Sequence, residues 1–127
     1  MDNFLDTHAV IWYLNGDDSL SHGARQKIES ATSINFVSIV SLWEIASKLS
    51  IDKLILNAPF KKFLESISAN GFQIIPVSIE DTLMVAKLPF HHRDPFDRLL
   101  ICQASNNNLL LISRDAQFKT YNVSLHW

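Results

Sequence analysis

Short apolar runs alternate along the chain with longer segments whose apolar residues recur every three or four positions. The short runs predict β-strands and the longer segments predict α-helices, because side chains repeat with a different period in each. Strands are expected at 3–5, 33–37, 72–75 and 109–112, and a final short turn or helix leads to 123–125. Helices are expected at 8–14, 19–31, 38–49, 59–70, 79–87 and 94–107.

Turn and cap residues support these boundaries. Gly16 and Gly71 follow two of the predicted helices, and glycine is favoured where a helix ends. Ser19 or Ser21 is expected to cap the second helix, since serine accepts hydrogen bonds from free helix N–H groups. In the segment 38–49 the helical period predicts one apolar face, made by Ile39, Leu42, Trp43, Ala46 and Leu49.

The order of these elements predicts the fold class. Strands separated by helical segments are typical of an α/β fold with a mostly parallel sheet flanked by helices. The sequence shows no repeat, linker or low-complexity tract, and its 127 residues suit one domain, so we expect a single domain over 1–127.

Composition narrows the class of protein. A hydrophobic fraction of 47% and a charged fraction of 19% indicate a globular chain. One cysteine excludes an intrachain disulfide, and no apolar run is long enough to span a membrane, so we expect a cytoplasmic protein without a signal peptide. The sequence has three glycines and no glycine-rich loop, which argues against a P-loop or a dinucleotide-binding site. The net charge of −2 counts against a broad nucleic-acid surface unless bound cations offset the acids.

Four acidic residues lie inside or beside apolar runs, where a charge is costly: Asp6, Glu44, Asp97 and Asp115. Each has an ordinary explanation, since the aspartates can cap helices and Glu44 can pair with Lys48 at i, i+4. Asp94 already serves as cap for 94–107, however, which leaves Asp97 unexplained on the apolar side of that helix. In a parallel fold the acids would converge on one sheet edge, where Mg²⁺ or Mn²⁺ would relieve their repulsion.

Four blocks of the sequence resemble PIN-domain ribonucleases, and more narrowly the VapC toxins of bacterial type II toxin–antitoxin pairs. They are LDTHA at 5–9, SLWEI at 41–45, LPFHHRDPFDRLLI at 88–101 and ISRDAQF at 112–118. The similarity runs over essentially the whole chain, and the third block is its most specific part. One departure is Asp52, which stands where relatives often carry glycine.

The resemblance implies a PIN-like three-layer α/β fold and an Mg²⁺- or Mn²⁺-dependent endoribonuclease that cuts tRNA or other structured RNA. It places the catalytic and metal-binding acids at Asp6, Glu44, Asp97 and Asp115. It also implies a homodimer neutralised by a VapB-type antitoxin.

Neighbouring residues are expected to support this chemistry. Thr7 and Ser113 are candidates to donate hydrogen bonds to the acids, and Asp94 is expected to act as cap or supporting group. Candidate contacts to the RNA backbone are Lys48, Arg93, Arg98 and Arg114. His91 and His92 are weighed as structural or RNA-contacting rather than as metal ligands, because hard cations prefer oxygen. Trp12 and Trp43 are expected in the core.

Two other functions stay open. A phosphohydrolase of the aspartyl-phosphate type needs a second acid two residues after its nucleophile. Asp6 is followed by Thr7 and His8, so this second acid is missing. A non-catalytic PIN-like binding module is the other alternative, against which the complete set of four acids argues.

Overall fold

The computed structural model describes residues 1–127, and five strands in it form one parallel sheet. The strands are β1 (Asn3–Leu5), β2 (Asn35–Ser38), β3 (Gln73–Ile75), β4 (Leu110–Ile112) and β5 (Leu125–His126). Their order across the sheet is β3-β2-β1-β4-β5, with every neighbouring pair parallel. The α/β class and the parallel sheet expected from the sequence are therefore confirmed, and β5 is a strand that the sequence did not reveal.

Six α-helices and a 3₁₀ helix cover the two faces of the sheet. They are α1 (Thr7–Asn15), α2 (His22–Ile28), α3 (Ile39–Ser50), α4 (Phe60–Ala69), α5 (Ile79–Lys87), α6 (Pro95–Asn106) and the 3₁₀ helix (Ala116–Thr120). None of the helices is both long and apolar enough to cross a membrane.

Most helix boundaries follow the sequence signals. Gly16 ends α1 in the left-handed region with φ of 64°, and Asp94 caps α6 by accepting from the N–H groups of Phe96 and Asp97. The second helix is shorter than expected, because Ser21 caps it and it ends at Ile28. Asp52 has φ of 55°, so the position where relatives often carry glycine does require a left-handed backbone.

The buried apolar residues form two clusters, one on each face of the sheet. Leu5, Val37 and Ile112 point to the first cluster, which residues of α1 to α4 complete. Phe4 and Leu111 point to the second, which α6 and the 3₁₀ helix complete. Alternate residues of one strand face opposite sides, so both faces of β1 and β4 are buried. Cys102 of α6 is buried, and this burial raises the pKa of its thiol to about 11.

The predicted face of α3 is wrong in part. Leu42 is buried, but Trp43 is 63% exposed and Ile39 is 43% exposed. The buried residues of α3 are Val40, Ser41, Leu42, Glu44 and Ile45, because α3 packs against both core clusters. The ring of Trp43 instead packs edge-on against Phe96, with ring centroids 5.1 Å apart.

Replacing a buried residue of the central sheet should destabilise the protein strongly. We expect Leu111→Ala to lower the free energy of unfolding by about 2–5 kcal/mol, because it leaves a cavity under β4. Urea denaturation of the purified protein measures this loss. Ile55→Ala, at a side chain that is 89% exposed, is the matched control and should change stability by less than about 0.5 kcal/mol. Equal losses in the two variants would contradict the assignment of the core.

Candidate metal centre at the sheet edge

The four acids come from four different elements that meet at the carboxyl edge of the sheet. Asp6 directly follows β1 and Asp115 follows β4, and the backbone N–H of Asp6 bonds to Ile112 O at 3.1 Å. The chain order reverses between β1 and β4, since β2 and β3 lie on one side and β4 and β5 on the other. Ligand sites of open α/β sheets form at such a switch point. Glu44 reaches this edge from α3 and Asp97 from α6. We call these four residues the acid site.

Two aspartates of the acid site cap helices with one oxygen only. Asp6 Oδ1 accepts from the N–H of Ala9 at 2.8 Å, and Asp115 Oδ1 accepts from the N–H of Gln117 at 2.9 Å. Asp94 takes the capping role on α6, so Asp97 is not needed as a cap. The ordinary explanation of Asp6 and Asp115 is therefore true, and it leaves the second oxygen of each carboxylate for other contacts.

Asp97 shows that the acids lie close together. Burial raises its pKa to about 7, with further raising by the charges of Asp94, Glu44 and Asp6, while His92 lowers it. The pKa of Asp6 is also raised, mainly by its burial and in smaller part by Asp115. Hydrogen bonds from Ser113 and Ala9 oppose that rise. Asp6 and Asp97 therefore each sense the negative charge of another acid.

Glu44 is held by two donors. It is only 5% exposed, with Thr7 Oγ1 donating to Oε1 at 2.7 Å and Lys48 Nζ lying 2.8 Å from Oε2. The simple i, i+4 pair considered from the sequence thus exists, but its carboxylate is buried rather than solvated. Thr7 thus donates to Glu44, and a hydrogen bond from Ser113 lowers the pKa of Asp6.

His92 is the side chain at this site whose position the sequence did not reveal. Its Nε2 lies 2.9 Å from Asp97 Oδ2 and 3.5 Å from Asp115 Oδ2. One potential ligand atom from each of these three residues lies within 4.8 Å of the others. The only signal in the sequence was its place two residues before the Asp94 cap.

The four predicted RNA-contacting cations differ in their surroundings. Arg93 and Arg114 are exposed, and the guanidinium of Arg114 stacks 4.6 Å from the ring centroid of Trp12. Lys48 is engaged with Glu44.

Arg98 corrects the prediction. It is only 8% exposed and donates to the carbonyl oxygens of Val85, Leu88 and Pro89 at 3.1–3.3 Å. These carbonyls belong to the end of α5 and the turn after it, so Arg98 joins α5 to α6 and cannot reach RNA.

The donor set of the acid site fits a hard divalent cation. Carboxylate oxygens are the ligands that Mg²⁺ and Mn²⁺ prefer, and a cation offsets the neighbouring negative charges that add to the effect of burial on the pKa of Asp97. No lysine or arginine pairs with Asp6, Asp97 or Asp115 in the structure. These three acids therefore have the oxygen atoms and the charge to hold an ion, with Glu44 beside them.

Comparison with known proteins gives both a family and a set of similar folds. Residues 4–123 match the family model described as PIN domain. The fold is similar to a chain in the crystal structure of VapBC2 from Rickettsia felis bound to a promoter DNA fragment. The TM-score is 0.75 at 18% identity, covering 99% of this chain and 98% of that chain.

Two further structures have similar folds. A toxin–antitoxin complex from Klebsiella pneumoniae gives a TM-score of 0.69 at 18% identity, covering 99% of this chain and 97% of that chain. DNA-bound VapBC from Salmonella typhimurium gives 0.70 at 14% identity, covering 99% and 98%. No curated protein matches the chain significantly.

The raised pKa of Asp97 predicts how stability depends on pH in the presence of EDTA. Between about pH 4 and pH 7 the folded protein keeps a proton on Asp97 that the unfolded chain has released. The free energy of unfolding should therefore fall as pH rises through this range, and Asp97→Asn should flatten the fall. Urea denaturation of both proteins at several pH values measures it. A wild-type protein that gains stability relative to Asp97→Asn as pH rises would contradict this assignment.

Proposed function

The chain belongs to the PIN domain family, and from that premise we propose that it is a metal-dependent endoribonuclease acting as the toxin of a toxin–antitoxin pair. The observation that carries the proposal is the convergence of Asp6, Glu44, Asp97 and Asp115 at the switch point of the sheet. A purely structural site gains nothing from clustered carboxylates that repel one another, whereas a cation-binding site needs their combined negative charge.

We propose that Asp6, Asp97 and Asp115 hold Mg²⁺ or Mn²⁺. When bound, such an ion lowers the pKa of water and neutralises charge on a phosphodiester. The capping bonds from Ala9 and Gln117 fix two of these carboxylates against rigid helix ends. Fixed carboxylates need little reorganisation when the ion and substrate arrive.

Glu44 has a different role in this proposal. Thr7 and Lys48 hold its two oxygens in place, and each oxygen keeps a lone pair for a further hydrogen bond. We assign Glu44 to orienting the attacking water. Because water attacks, the products should carry 5′-phosphate and 3′-hydroxyl ends, rather than the cyclic phosphate left by attack of the ribose 2′-hydroxyl.

An open surface favours a polymeric substrate over a small phosphate ester. The side chains of Asp97 and Asp115 are 22% and 36% exposed, so the acid site reaches the surface. A small molecule is usually enclosed in its pocket, whereas an extended backbone can lie across an exposed edge. Arg93 and Arg114 flank the site on the surface, and Lys48 adjoins Glu44, so we propose these three as contacts to RNA phosphates.

The proposed partners follow from the similar structures, which are toxin–antitoxin complexes. We propose a VapB-type antitoxin as the cognate partner and a homodimer as the active assembly. A single domain over 1–127 and action in the cytoplasm stay predictions from the sequence.

Removing one charge of the acid site should abolish cleavage without unfolding the protein. We expect Asp6→Asn to reduce RNA cleavage by at least ~100-fold, since loss of even an outer-shell partner typically costs 10–100-fold. Asparagine caps helices as well as aspartate, so α1 should remain intact. Antitoxin-free protein is incubated with total RNA in Mg²⁺, Mn²⁺ or EDTA, and the product ends are mapped.

The matched control is Asp52→Asn, at an exposed acid with a left-handed backbone that asparagine also tolerates. It should cleave like the wild type. Undiminished cleavage by Asp6→Asn would overturn the catalytic assignment and favour the non-catalytic binding module. Products with 2′,3′-cyclic phosphate ends would overturn the water mechanism.

Arg114 and Arg98 should respond in opposite ways to the same substitution. Arg114→Ala should raise KM for RNA and leave the free energy of unfolding nearly unchanged, because the side chain is exposed. Arg98→Ala should cost about 1.5–3 kcal/mol of stability, because it removes the hydrogen bonds that a buried charged group donates to three carbonyls. Cleavage kinetics and urea denaturation separate the two effects. A destabilised Arg114→Ala with normal KM would contradict the proposed RNA contact.

A further inference from the structure

His92 places a buried, unpartnered nitrogen inside the acid site. Its side chain is 9% exposed, and Nε2 lies 2.9 Å from Asp97 Oδ2 and 3.5 Å from Asp115 Oδ2. Neither contact qualifies as a regular hydrogen bond, so Nε2 has no hydrogen-bond partner. A bare nitrogen lone pair this close to two ionised carboxylates would be repelled, so beside ionised acids Nε2 must carry a proton or face a cation.

The ring is held in place by neighbours outside the acid site. The backbone N–H groups of His91 and His92 both donate to the hydroxyl of Tyr121, at 3.0 and 2.8 Å. The ring of His92 also packs against Phe118, with centroids 6.0 Å apart. Tyr121 and Phe118 belong to the second core cluster, so Nε2 is directed at the acids by the core itself.

The other ring nitrogen decides where the proton is. The backbone N–H of Asp94 donates to Nδ1 of His92 at 3.2 Å, which requires a lone pair on Nδ1. A neutral imidazole with a free Nδ1 carries its proton on Nε2. A histidine that binds a metal through Nε2 has the opposite arrangement, because its Nδ1–H donates to a carbonyl or carboxylate.

We infer that His92 is not a ligand of the cation but a positioning residue, whose Nε2–H lies beside the carboxylates of both Asp97 and Asp115. The inference rests on the proposed function, since it assumes that these two acids hold the ion. A single N–H beside two carboxylates reduces their repulsion and restricts the rotation of both. The oxygens that His92 does not face then stay available to the cation.

The first experiment reads the tautomer directly in the wild-type protein. Long-range ¹H–¹⁵N NMR spectra of the histidine rings are recorded in EDTA and again with saturating Mg²⁺, with His92 assigned from the spectrum of His92→Gln. We expect a protonated Nε2 and an unprotonated Nδ1 in both conditions. A proton on Nδ1 in either condition would overturn the inference, and an Nδ1–H with an unprotonated Nε2 would show the tautomer of a ligand.

The second experiment measures Mg²⁺ affinity by calorimetry in His92→Ala, His92→Gln and the control His91→Gln. We expect His92→Ala to weaken binding by about 10–100-fold, the usual effect of losing an outer-shell partner. His92→Gln should recover most of the affinity, because its amide N–H can reach the position of Nε2. His91 is exposed, so its variant should bind like the wild type.

The outcomes separate this inference from the proposed function. Unchanged affinity in His92→Ala, or a Gln variant as weak as the Ala variant, would overturn the positioning role. If His92→Ala unfolds, the Gln variant and the wild-type spectra still decide. If the wild type binds neither Mg²⁺ nor Mn²⁺, the metal-dependent activity fails, while the EDTA spectrum still tests the tautomer.

Discussion

Each carboxylate has two oxygens, and the acid site depends on using them for different purposes. In a parallel sheet every strand runs in the same direction, so the helices that follow the strands begin at one edge. Asp6 and Asp115 stand where a strand ends and a helix begins, and each gives one oxygen to the free N–H groups there. The same geometry that demands a cap therefore brings the second oxygens together. Fold and acid site have a common cause in the parallel topology.

Hydrogen-bond donors around the acids reduce the free-energy cost of bringing their negative charges together. Thr7 and Lys48 bond Glu44, Ser113 and Ala9 lower the pKa of Asp6, and the N-terminal ends of two helices add partial positive charge. Burial, together with the charges of Asp94, Glu44 and Asp6, still raises the pKa of Asp97 to about 7. The donors thus allow the acid site to form, and the negative charge that they leave uncompensated favours a cation.

The sequence predicted what depends on neighbours along the chain. The bounds of α5, the Asp94 cap and the strand ends at Asp6 and Asp115 all follow from local period and cap chemistry. It could not predict what depends on packing. Trp43 lies on the apolar stripe of an isolated helix, but α3 contacts two core clusters and turns that ring outward. In the sequence, Arg98 and His92 are both basic residues near acids. In the fold, Arg98 bonds a carbonyl at the end of α5, whereas the backbone of His92 bonds the Tyr121 hydroxyl.

Cys102 lies fully buried on the helix that carries Asp97, and burial raises the pKa of its thiol to about 11. A protonated, enclosed sulfur does not react with alkylating reagents or form intermolecular disulfides. Its labelling rate is consequently a native reporter of how often α6 detaches from the sheet, and the chain contains no second thiol to obscure the signal.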